Sequence, residues 1–267
     1  MTVPSLREPF LGESDGPAFR TVNETAQRPL LLICDHASNV VPRSLDSLGL
    51  PAHAFDEHIA YDLGAARLTE RLAARLGCMA LLAGFSRLVI DVNRQPGDPG
   101  SIPPVSDGWE IPANRDLSEA CQERRTEALF RPYHNAITEA LAHLWRNGPP
   151  PALFSVHSFT PVFGGKADRP WHAGVLWNRD PRIAVPLLHH LREPGDKVIG
   201  DNEPYSGKLI AYSIDRHGAA GGLPNAAIEV RQDQLATEAG IEDWAVRIGS
   251  GLEALMSDPH LHKVEHF

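Results

Sequence analysis

Two histidines, His36 and His157, each close an apolar run: LLLIC before Asp35-His36, and ALFSV before His157-Ser158. A third run, AAIEV, ends on Glu229-Val230 and leads into Arg231. Short continuous apolar stretches read as buried strands of an α/β sheet, and ligands of such sheets gather beyond the strands' carboxyl ends. Two imidazoles and a carboxylate delivered there from distant parts of the chain suit a divalent metal and hydrolytic chemistry. A zinc site for hydrolysis commonly takes two His and one carboxylate, leaving one position for water.

The acidic ligand has several candidates. Asp56-Glu57-His58 opens a predicted helix, where acidic residues are ordinarily explained by the helix dipole. Asp56 ranks first as third ligand, with Glu57 next and His58 as ligand or supporting residue. Glu229, beside such a metal, is a suitable general base. Arg231 lies two residues on, on the same side of the strand, where it can bind substrate, neutralise an oxyanion or simply pair with Glu229. In Ser86-Arg87-Leu88-Val89-Ile90-Asp91-Val92-Asn93-Arg94, Arg94 and Asn93 leave a predicted strand where a ligand carboxylate would sit. Arg87 is a second candidate cation, and Asp91 a buried partner for Arg87 or Arg94. Ser158, next to His157, is a further substrate-binding candidate. His134 reads as a satisfied core histidine, and His217, ahead of a Gly-rich loop, as a pocket-lining one.

The elements that must position these groups follow from periodicity. Strands are predicted over 30–34, 78–83, 86–92, 152–157, 173–177 and 226–231, with a weaker one over 196–200. Helices are predicted over 56–76, stopped by Gly77, over 118–147 with Ser118 as cap and Pro132 as a kink, and over 239–256. Residues 1–28 form a polar strap. Residues 95–116, with five prolines and three glycines, form a long loop near the site. Alternating strands and helices give the α/β class: one domain over 1–267, three layers α/β/α with a mixed central sheet.

Bulk composition sets limits. The 267 residues suffice for a proper core, and 42% hydrophobic with 22% charged residues is ordinary for a globular chain. A formal net charge of -9 argues against general affinity for nucleic acid or anionic membrane. Three widely spaced cysteines without a CxxC pair fit a reducing compartment. With no apolar leader and no membrane-length run, the expectation is a cytoplasmic protein. No Walker sequence, GxGxxG or GxSxG elbow occurs.

Taken in order, DHAS, DEHIAYD, SRLVIDVNR, VHSF and IEVR resemble the N-formylglutamate amidohydrolase family, over about residues 30–255. That family looks related to zinc carboxypeptidases and aspartoacylases, which implies a hydrolase-like α/β/α fold. The resemblance implies that His36 and His157 ligate the metal, that Asn93 and Arg94 grip a substrate carboxylate, and that Glu229 is the base. It implies Zn²⁺ as cofactor, with Fe²⁺ or Mn²⁺ also suited to the donor set, and a small acylated acidic amino acid as substrate. Two departures stand out. The peptidase relatives use HxxE, but position 39 is Asn, so Asp56 is the carried-over ligand. Characterised members read PHSG and DWH where this chain has DHAS and DEH. Other readings are an amidase for a different acyl amino acid and a silent small-ligand binding protein.

Overall fold

The computed structural model describes residues 9–165 and 169–267. Seven strands form the central sheet, in the order β1-β3-β2-β6-β9-β7-β8. The middle of the sheet is parallel: β2 (Leu30–Cys34) lies between β3 (Met79–Ala83) and β6 (Ala152–Phe159), and β6 pairs with β9 (Asn225–Arg231). The edges break the pattern. β1 (Phe19–Val22) runs antiparallel to β3, and β7 (Ala173–Leu176) antiparallel to β9, with the short β8 (Ile199–Asp201) parallel to β7. β4 (Val105–Ser106) and β5 (Trp109–Glu110) make a separate hairpin.

Alternation along the buried strands divides the core into two layers. Leu30, Leu32 and Cys34 pack with α1 (Ala65–Leu76), α4 (Pro181–Arg192) and α6 (Glu238–Met256). Leu31 and Ile33 face the opposite layer, which holds α3 (Arg131–Asn147), α5 (Tyr212–His217) and long ordered loops. The site lies on this second side. Among the described residues, no helix is long and apolar enough to cross a membrane.

Three predicted elements differ. Residues 86–92 are turns, not a strand. Leu88, Val89, Ile90 and Val92 are buried as a strand's would be, but their backbone finds partners outside any ladder. Ser86 N donates to Val40 O, Arg87 N to Ala60 O and Asp91 N to Ser101 O, while Asn114 and Arg125 side chains cap the carbonyls of Leu88 and Val89. Burial without periodicity cannot tell these cases apart.

The helix predicted from Asp56 begins only at Ala65. Residues Ala52–Asp56 make a 3₁₀ turn, and the chain then runs irregularly to Gly64, whose φ of +80° is left-handed. A Cβ at Gly64 would lie 2.5 Å from Leu235 Cβ, so conformation and close packing both require glycine there. The long helix over 118–147 is α2 (Glu119–Arg125), a π-helical turn Thr126–Phe130, and α3. Pro132 sits in the first turn of α3, where its missing N–H is tolerated because the wider turn precedes it. Ser118 caps α2 through Cys121 N, and Gly77 ends α1 in the left-handed conformation, both as predicted.

Candidate active site

A cavity of about 380 Å³ opens over the carboxyl halves of β6 and β9. Ser155, His157 and Phe159 alternate into it from β6, and Ala227 and Glu229 from β9. His157 and Glu229 are direct register partners across these two strands. His36 enters from the end of β2, and the loop over 95–116 contributes Gly100, Pro103, Val105, Ser106 and Asp107 to the opposite wall.

At the floor, His36, Asp62 and His157 are buried and offer one ligand atom each, all within 4.8 Å of one another. Asp62 Oδ2 lies 2.8 Å from His157 Nδ1 and 3.3 Å from His36 Nδ1. The far nitrogen of each ring is held by another carboxylate. His36 Nε2 is 2.7 Å from Asp91 Oδ1, and His157 Nε2 is shared between Ser155 Oγ at 2.9 Å and Asp35 Oδ2 at 3.2 Å. Asp35 is itself fixed by Tyr133 Oη at 3.1 Å and Ser213 Oγ at 2.7 Å. Carboxylates behind both imidazoles orient the two Nδ1 atoms toward a common point, an arrangement typical of metal-binding histidines.

The electrostatics say the same. Burial lowers the affinity of both imidazoles for protons, yet the surrounding Asp35, Asp62 and Asp91 overcome it and raise both. Burial would lift the three aspartates, but the imidazoliums, with Arg87 at Asp91, hold them down, Asp35 at about 2 and the other two lower. The floor therefore favours positive charge at the two rings. Glu229 is different: burial pushes its carboxyl up to about 7, and the charge of Asp62 adds to this. Its Oε2 is buried without a hydrogen-bond partner. A donor set of two nitrogens and one oxygen, carboxylates behind the rings and an orphaned carboxylate oxygen together fit a divalent metal.

Asp56 does not belong to this group. It is exposed at the end of its 3₁₀ turn, as is Glu57 beside it, and the irregular segment that replaces the predicted helix carries Asp62 inward instead. Asp62 N donates to His36 O at 2.9 Å, and Ser158 Oγ donates to Leu63 O at 2.7 Å. Ser158 thus spends its hydroxyl on positioning Asp62. His58 reaches the cavity wall, 3.0 Å from Asp107 Oδ2.

The arginines separate by partner. Arg87 lines the cavity but bridges two aspartates, Nη1 to Asp62 Oδ1 at 3.2 Å and Nη2 to Asp91 Oδ2 at 3.1 Å. This occupies one oxygen of Asp62 and leaves Oδ2 facing the imidazoles. Arg231 turns away from Glu229 to Asp233 and to the carbonyl of Arg169, and is absent from the cavity lining among the described residues. Arg94 lines the cavity with looser contacts, 3.6 Å to Asp91 and 3.8 Å to Asp98. Asn93 accepts from Ser213 N at 2.9 Å through Oδ1, which leaves its NH₂ as a donor beside the cavity. His217 does not line the cavity; its Nε2 is 2.7 Å from His134 Nδ1, and His134 Nε2 donates to Val92 O at 2.8 Å.

Sequence reasoning passed over Asp62 and Asp35 as site residues; Asp91 is, as expected, a buried partner of Arg87 and Arg94. Asp62 stands in the DEHIAYD motif, and the signal available was Gly64 just beyond it, a residue that keeps a helix from starting earlier.

Fold and site together define an α/β protein with a buried His-Asp-His group of metal-binding type under an open cavity. The family model of N-formylglutamate amidohydrolase matches residues 28–236, and the chain belongs to that family. A crystal structure of a gene product from Agrobacterium tumefaciens is similar at 32% identity and a TM-score of 0.89, covering 93% of this chain and 98% of its own. N-formylglutamate amidohydrolase from Ralstonia eutropha shares the fold at 21% identity and a TM-score of 0.62, with 90% of this chain and 97% of that one covered. No protein of curated function matches the sequence.

Proposed function

We propose that the protein is a metal-dependent amidohydrolase that cleaves the N-acyl amide of a small acidic amino acid, with N-formyl-L-glutamate, split to formate and L-glutamate, as the leading substrate. The observation that carries this reading is the convergence of His36 Nδ1, His157 Nδ1 and Asp62 Oδ2 in the cavity that Glu229 also lines, its Oε2 unpartnered among the described residues. His36, His157 and Asp62 would hold a divalent ion, which would supply a Lewis acid for the acyl group and lower the pKa of water toward roughly 7. Zn²⁺ suits the donor set, as do Fe²⁺ and Mn²⁺.

The chain's own residues do the rest. Glu229 takes a proton from the attacking water and passes it to the leaving nitrogen, so formate and a free amine result. A carboxyl titrating near neutrality is matched to both halves of that transfer. Arg94 and the free NH₂ of Asn93 bind the α-carboxylate. Arg87, tied to Asp62 and Asp91, holds the metal carboxylate in place. The cavity lies near the lower end of the roughly 300–1,000 Å³ typical of small-ligand sites, ample for an acyl amino acid.

The test is metal content of tag-free protein together with formate release from N-formyl-L-glutamate, before and after chelation. About one metal per chain with chelator-sensitive release is expected. Glu229→Gln is expected to keep the metal and lose about 10²- to 10⁴-fold in kcat. A Gln variant that turns over like wild type ends the role of Glu229.

A further inference from the structure

N-formyl-L-glutamate carries two carboxylates, and the arginines expected for them are not equally available. Arg87 is discharged by Asp62 and Asp91, and Arg231 by Asp233. Of these three arginines, Arg87, Arg94 and Arg231, only Arg94 lines the cavity with no carboxylate nearer than 3.6 Å.

Arg169 stands differently. Its guanidinium carbon lies 4.9 Å from the ring centroid of Tyr205, 5.0 Å from Phe163 and 5.6 Å from Phe159. Nη1 donates to Tyr205 Oη at 3.0 Å and to Thr160 O at 3.3 Å. These four residues, Phe159, Thr160, Phe163 and Tyr205, all line the cavity, and Arg169, which is not itself a lining residue, packs directly against them. Among the described residues, no carboxylate forms an ion pair with Arg169. Aromatic faces hold a guanidinium through their quadrupole without discharging it. Among the described residues Nε and Nη2 have no hydrogen-bond partner, and they form the two-pronged edge that matches a carboxylate. The backbone is anchored as well: Arg169 N donates to Pro161 O, and Arg231 Nη1 donates to Arg169 O, both at 2.9 Å. Arg231 thus serves the site indirectly, as a strut beneath this residue.

We propose that Arg169 is the specificity-determining dock for the second, side-chain carboxylate of the substrate, with Arg94 taking the α-carboxylate. The assignment rests on the amidohydrolase reading above. It gives the aromatic wall a purpose, to hold directly behind the cavity lining a cation that has no carboxylate partner among the described residues.

The experiment compares N-formyl-L-glutamate with its neutral isostere N-formyl-L-glutamine, on zinc-supplemented wild type, Arg169→Leu and Arg169→Lys, with melting temperature as a check on folding. Wild type is expected to prefer the glutamate compound by about 10- to 100-fold in kcat/KM, the worth of a charged hydrogen-bonded pair. Arg169→Leu is expected to erase that preference through KM, with kcat/KM on the glutamine compound within about threefold of wild type. Arg169→Lys, which keeps the charge but not the fork, is expected to fall between them, and it carries the test should the Leu variant not fold. A glutamate preference that survives in both variants overturns the proposal. So does an equal loss on both substrates, which would mark Arg169 as structural. Wild type that hydrolyses neither compound overturns the amidohydrolase reading itself, and the proposal with it.

Discussion

The molecule contains two buried histidine pairs whose ring centroids are the same 5.0 Å apart, His36–His157 and His134–His217. They sit on the same side of the sheet and share almost nothing else. The first pair is ringed by Asp35, Asp62 and Asp91, which raise the proton affinity of both rings against the pull of burial. The second pair has a backbone carbonyl and a threonine for neighbours. There burial wins, both rings are depressed, and His217 falls to about 3. In the first pair the two Nδ1 atoms converge on a carboxylate; in the second, one ring donates directly to the other. Spacing of imidazoles is therefore not what makes a group of metal-binding type. The carboxylates behind and between the rings set the first pair apart, and the second, bonded ring to ring, is a strut.

Breaking the first pair should have the largest effect. His157→Ala is expected to bring bound metal close to zero and abolish turnover, read by elemental analysis and formate release. His217→Ala is the control: full metal and turnover within about threefold, but a loss of roughly 1–3 kcal/mol because His134 Nδ1 is left buried without its partner. Equal metal loss in both variants would erase the distinction between the pairs.

A gentler change sharpens the same contrast. Asp35→Asn keeps the shape around His157 Nε2 but removes the charge, and metal affinity is expected to weaken about 10- to 100-fold by chelator competition. Unchanged affinity would show that Ser155 alone orients the ring.

The smallest effect is on acid stability. His134 and His217 have folded pKa values below the unfolded value, so the unfolded chain takes up protons first as pH falls. Their contribution is full above about 6.5, the unfolded value, and declines below it toward the folded value of His217, about 3, at no more than ~1.4 kcal/mol per pH unit for each ring. Urea melts between pH 7 and 5 should lose stability in wild type and lose less in His217→Gln. The His36–His157 pair in metal-free protein has the opposite sign, its contribution being present at low pH and lost as pH rises past its raised values.

How much of this was legible in the sequence depended on which residues strands carry. His36, His157 and Glu229 could be read because each closes an apolar run, and register then brought His157 and Glu229 side by side. The acidic member of the buried group could not. Asp62 arrives on an irregular segment whose course is set by a tertiary contact at Gly64, and a helical pattern over 56–76 pointed to Asp56 instead. Residues 86–92 have the composition of a strand because burial, not a ladder, chose them. The arginines were hardest. Their side chains are long, so whether Arg87 or Arg231 meets substrate or an aspartate depends on where Asp62, Asp91 and Asp233 come to rest. Arg169 had no signal at all, since Phe159, Phe163 and Tyr205 meet around it only in the folded chain.

Gly64 has one more consequence, for anyone altering this protein. Gly64 is not among the described residues lining the active-site cavity, yet any side chain there, two residues along the chain from Asp62, presses on Leu235. Screens that vary the visible rim, such as Val105 or Ile210, can roam freely among substrates. A lesion at position 64 would instead be scored as loss of activity by a residue remote from the chemistry, and the remedy would lie in trimming Leu235 rather than in redesigning the cavity.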